Sequence, residues 1–133
     1  MRCRPPVAGS TFGERGEVIV GDAFRAIEAA WMTGVAAMAH AGARIILDDV
    51  FLGGATSQQR VRAHLDGLAV LWVGVRCDAE IAVAREVARG DRAPGMAALQ
   101  ADKVHAGVTY DLEVDTGVAE ALACARAIAA RVA

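Results

Sequence analysis

Apolar positions along this chain follow two rhythms. Phe24, Ile27, Trp31, Val35 and Met38 recur at helical spacing, with Asp22 as the N-cap and Gly42 as the C-terminal stop. The next run, "RIILDD" over residues 44–49, reads as a short buried strand whose branched residues lead straight into paired carboxylates. A polar, helix-compatible stretch over residues 56–64 follows. "LAVLWVGVR", residues 68–76, is apolar on both parities, the mark of a strand covered on both faces and hence of a parallel sheet. Residues 79–89 return to helical spacing, and "RGDRAPG" interrupts them with Gly90, Pro94 and Gly95. A further helix is expected over residues 96–106 and a third strand at "YDLEVD". The last helix is expected over residues 118–132, with Leu122, Ala125, Ala129 and Val132 on one face. Strands and helices alternate throughout, so the expected class is α/β, a parallel sheet with flanking helices and right-handed crossovers.

Composition narrows the picture without changing it. The 133 residues make one domain, large enough to bury a core. Fourteen basic against sixteen acidic side chains give a net charge of -2, which supports neither a nucleic-acid partner nor an anionic membrane surface. Thirteen of the basic residues are arginine, and Lys103 is the single lysine. Cys3, Cys77 and Cys124 are odd in number and far apart; they fit neither a disulfide framework nor a zinc site, and point to a reducing, cytoplasmic compartment. No apolar run reaches the eighteen or so residues of a membrane span. Residues 1–16 read as a loose polar leader without the apolar core of a signal peptide.

Two stretches carry candidate chemistry. In open parallel sheets, ligands bind beyond the carboxyl ends of the strands. All three expected strands end in polar residues: Asp48 and Asp49, Arg76 and Asp78, Asp115 and Thr116. They form either a catalytic cleft or the ordinary polar rim of a sheet. In "REVARGDRAPG", Arg85, Arg89 and Arg92 stand four and three residues apart on a glycine-punctuated hinge. Guanidinium forks at that spacing suit a polyphosphate, which they bind bidentately. The alternative is a solvated helix face with Glu86 and Asp91 as ion-pair partners.

Taken in order, "AGARIILDDVFLGG", "VLWVGVRCD", "RGDRAPGMAALQ" and "VHAGVTYDLEVDT" resemble the chloramphenicol phosphotransferase family. "FRAIEAAWMTGVAAMAHAGA" is similar to the helix that precedes the first of them there, so the resemblance runs from about Gly16 to the C-terminus. It implies a P-loop kinase fold of three layers, akin to adenylate and shikimate kinases. It also implies transfer of the γ-phosphate of ATP, with Mg²⁺, to a primary hydroxyl of chloramphenicol, an antibiotic-resistance reaction. On that resemblance Arg89 and Arg92 are the phosphate-facing arginines of the lid, joined by Arg85 in holding the nucleotide. Asp48 and Asp49 stand near the metal, Asp49 within the catalytic set, and Val50, Phe51 and Leu52 wall the apolar part of the substrate site. His105 and Tyr110 fall in a family-like stretch, with His105 read as a packing or surface residue.

The chain also departs from that family. It contains no G-x-x-x-x-G-K-[ST], the loop whose backbone N–H groups and lysine cradle phosphates. "GSTFGERGE" has glycines but no lysine, and Lys103 falls in a late helix. The chain therefore resembles a truncated kinase-like domain lacking the first strand, the phosphate loop and the catalytic aspartate segment. In the parent fold that strand is central, between residues 44–49 and 68–76. Its absence predicts a remodelled sheet, a strand supplied by a partner, or low stability; Val18–Val20 is the only internal candidate to fill the place. A bare strand edge would also allow homo-oligomers. The alternative to the kinase reading is a catalytically inactive relative that binds a small molecule or a protein.

Overall fold

A computed structural model describes residues 9–14, 17–90 and 94–132. The order of elements is β1 (Ser10–Phe12), β2 (Val18–Val20), α1 (Asp22–His40), α2 (Ala55–His64), β3 (Val73–Arg76), α3 (Ala79–Arg89), α4 (Met96–Gln100), a 3₁₀ turn (Lys103–His105), β4 (Leu112–Asp115) and α5 (Ala121–Ala129). The class is α/β, as the alternating pattern predicts, and β3 pairs with β4 in parallel, Val73 opposite Leu112 and Arg76 opposite Asp115. No helix among the described residues is long and apolar enough to cross a membrane.

The sheet is smaller than the sequence predicts. Residues 44–49 join no strand among the described residues, and Ile46 is 98% exposed. A strand exists only where a neighbour completes its ladder of hydrogen bonds. Among the described residues no strand pairs with this segment, although its composition favours β structure. Residues 68–72 also stay outside the strand that the apolar run predicts, and β3 begins at Val73, although the Trp72 carbonyl already accepts from Asp111 N–H (2.8 Å). Val18–Val20 does not take the central place either. It pairs antiparallel with Ser10–Phe12 in a separate hairpin, so residues 10–12, read as loose leader, are a strand.

The helices largely hold their predicted spans, but not their predicted faces. Helix α1 starts at Asp22, and its N-cap is Gly21 rather than the Asp22 side chain. It ends as expected before Gly42, whose φ of 97° suits glycine, with Ala43 N–H returning to the Met38 carbonyl (3.0 Å). The buried residues of α1 are Met32, Val35 and Ala36, while Ile27, Trp31 and Met38 face solvent. In α5 the buried residue is Cys124, set against β4, and Leu122 and Val132 are exposed. Each helix turns inward the stripe that a neighbour covers, which its own spacing does not reveal. The helix expected over 96–106 breaks into α4 and the 3₁₀ turn. Many large apolar side chains are exposed among the described residues, Ile27, Trp31, Ile46 and Leu122 among them.

Candidate functional site

The carboxyl ends of β3 and β4 meet, as the strand-end reading requires, but their polar groups are used on one another. Asp78 caps α3, its carboxylate accepting from Glu80 N–H (2.8 Å). Arg85 donates to the Thr116 carbonyl (2.7 Å), to Thr116 Oγ1 (3.1 Å) and to Cys77 Sγ (3.4 Å). The residue expected on a nucleotide is thus a brace between α3 and the end of β4. Arg89 closes α3. Arg92 and Asp91 lie outside the described residues.

Glu86 is not the ion-pair partner of a solvated face. It is 7% exposed, and its two carboxylate oxygens accept from Gly95 N–H (2.9 Å) and Ala97 N–H (2.8 Å). A buried acid on α3 therefore satisfies the otherwise orphaned donors at the start of α4 and fixes the two helices across the hinge.

The paired acids end the unpaired segment instead of a strand. Asp49 Oδ1 accepts its neighbour Val50's N–H (2.7 Å). Desolvation holds its carboxyl above the usual carboxylate range, helped by the charges of Glu28 and Asp48 and opposed by the Val50 N–H and Arg25. Asp49 thus lies within electrostatic reach of α1, where Arg25 donates to Glu28 (2.6 Å). Among the described residues no three His, Cys, Asp or Glu side chains gather as a metal cluster. Asp48 and Asp49 would have to share a hard cation with substrate oxygens or water. With Arg85 held by Thr116 and no glycine-lysine cradle in the sequence, the described residues do not fit a magnesium triphosphate.

The apolar residues after the acids separate. Val50 is exposed, and the Phe51 ring lies 6.3 Å from Trp72, which Arg62 covers at 5.0 Å. Leu52 lines a cleft. The turn that aims it is held by Gly54 N–H to the Phe51 carbonyl (2.7 Å), Gly53 N–H to Ser57 Oγ (3.0 Å) and Ala55 N–H to the Ala106 carbonyl (2.9 Å). Gly54 has φ 54°, and a Cβ there would collide with that carbonyl.

The cleft holds about 230 Å³, with Val18, Val20, Leu52, Met96 and Leu99 as apolar walls and Glu17, Arg25, Gln100 and Lys103 as polar lining. It joins the hairpin, α1, the turn after the acids, and α4. A larger depression of about 400 Å³ beside Trp72 and Asp111 is open to solvent. Of the residues that the family resemblance places at an apolar wall, Leu52 lines this cleft; the other lining residues were not among the expected site residues. Met96 and Leu99, three apart on a short helix, were the one signal available, and nothing local ties them to Val18 or Arg25.

Two further ties hold α2, the 3₁₀ turn and the approach of β4. Gln58, 4% exposed, donates to the Thr109 carbonyl (2.7 Å) and accepts from its N–H (3.0 Å), joining α2 to the approach of β4 as a strand neighbour would. His105 Nδ1 and Tyr110 Oη lie 2.6 Å apart, securing the turn that carries Lys103. Burial, with the Arg76 charge, lowers the His105 pKa; burial raises that of Tyr110. His105, read from the sequence as a packing or surface residue, is partly buried and lies against Tyr110.

A comparison with curated proteins finds no match. A family model described as chloramphenicol phosphotransferase-like protein matches residues 1–133, in keeping with the α/β order and the parallel β3–β4 pair. This chain therefore belongs to the chloramphenicol phosphotransferase-like family and is related to kinase-type phosphotransferases.

Proposed function

We propose that this chain binds a small apolar alcohol of the chloramphenicol type in the cleft between the hairpin and α4. The binding serves a cytoplasmic phosphotransferase that modifies a primary hydroxyl and so confers antibiotic resistance. The observation that carries the reading is the lining itself: five apolar side chains from three separate parts of the chain face a polar edge containing Arg25, Gln100 and Lys103. Such a site suits a ligand with an apolar body and hydroxyl groups. Leu52, Met96 and Leu99 would hold the body and exclude water, and Gln100 would hydrogen-bond a hydroxyl. In the family reaction, ATP with Mg²⁺ supplies the phosphoryl group.

A second reading is binding without turnover, by a small-molecule or protein-binding relative. The hydrogen bonds that hold Arg85 to Thr116 favour it, since they leave that guanidinium committed away from any phosphate.

Calorimetry on the folded chain tests both. Micromolar chloramphenicol binding, weakened at least tenfold by Leu99→Asp, is expected. Phosphate transfer from ATP with Mg²⁺ would favour the kinase, whereas binding without transfer would favour the second reading. A folded chain that fails to bind chloramphenicol would overturn both small-molecule readings.

A further inference from the structure

Two cations line the cleft, and they are not equivalent. Arg25 is held by Glu28 at 2.6 Å. Lys103 lines the cleft with no ion pair or side-chain hydrogen bond to a described residue. The one acid in the lining, Glu17, has its carboxyl against Gly13 of its own hairpin. The backbone that carries Lys103 is tied down. Its carbonyl accepts from Ala106 N–H (3.2 Å), Ala106 in turn accepts from Ala55 N–H, and His105 is bonded to Tyr110. A fixed base with an uncommitted ammonium at the edge of an apolar cleft is a receptor for an anionic group on an apolar body. The ammonium is a compact charge with three donors, which suits the oxygens of a phosphate monoester.

We infer that Lys103 makes this cleft select the phosphate monoester of its apolar ligand over the parent alcohol. The inference rests on the cleft being the binding site proposed above, and it assigns that site a specificity residue and an anionic ligand class. Because Lys103 is exposed, the preference is modest and falls with salt.

The test compares chloramphenicol with its phosphate monoester by calorimetry at low and high salt, on the parent chain, Lys103→Gln and Lys103→Arg, each first shown to be folded by circular dichroism. The ester is expected to bind about fivefold tighter than the alcohol at low salt. That ratio should fall to about one in Lys103→Gln, persist in Lys103→Arg and shrink as salt rises. Alcohol binding with no preference for the ester, or a preference that survives Lys103→Gln, would overturn the inference and leave the proposed function standing. Failure of both ligands to bind would overturn the two together.

Discussion

Residues 44–49 and 72–76 begin from similar chemistry and end in different states. Both run branched or aromatic residues toward an aspartate, and both suit a pleated backbone. In the second, the Trp72 carbonyl accepts from Asp111 N–H (2.8 Å), the Trp72 N–H is taken by Asp111's carboxylate (2.8 Å), and the ladder runs on to Arg76 opposite Asp115. In the first, no backbone hydrogen bond joins the segment to another strand among the described residues, and Ile46 stands in solvent. Intrinsic β preference spans only about 1 kcal/mol. A backbone group left buried and unpaired costs about 1–3 kcal/mol, so an unpartnered segment stays out in water. Strand character here belongs to the pair and not to the run.

The widest contrast should come from the ties that hold the paired half. Glu86→Ala leaves two N–H groups at the start of α4 without acceptors and should cost about 2–3 kcal/mol in urea denaturation. A loss below about 0.5 kcal/mol would show that the hinge is not fixed there. Gln58→Ala should cost less, about 1–2 kcal/mol, and speed hydrogen exchange at Thr109. Unchanged protection of that amide would remove α2 from the account of how β4 is held.

Smaller effects belong to the unpaired segment. Ile46→Asp should change stability by no more than about 0.5 kcal/mol in either direction. A loss above 1 kcal/mol would break the comparison, because the segment would then be packed. The smallest effect concerns Asp49. A carboxyl held above its unfolded value contributes stability at pH below that value, and this is lost as pH rises through the folded value. The parent chain should therefore lose a little stability on this account between about pH 4 and neutrality. Asp49→Asn should flatten that part of the profile. A steeper profile in the variant would mean that the Val50 N–H bond outweighs desolvation.

Much of the fold was legible. The span of α3, the start of β4's region and the glycine that ends α1 follow from spacing and turn chemistry, and Asp78 stands where an N-cap is needed. The site was less so. The family resemblance put Val50, Phe51 and Leu52 together at one apolar wall; in the structure Leu52 lines the cleft, while Phe51 one residue earlier turns to Trp72. Adjacent residues in a turn point to different places, and no periodicity records which. Arg85 shows the same limit from the other side, since a guanidinium suited to phosphate is equally suited to a carbonyl and a hydroxyl nearby.

By itself the sequence determined the α/β order, most helix spans and membership of a kinase-related family, because these depend on local periodicity and on long ordered motifs. Tertiary structure decided which extended runs became strands, which helix face turned inward, and that Glu86 would cap α4 while Lys103 lined the cleft with no ion pair to a described residue. Each of those outcomes depends on a partner distant in the chain, and the hydrogen bond or buried contact that settles it exists only once the partner is in place.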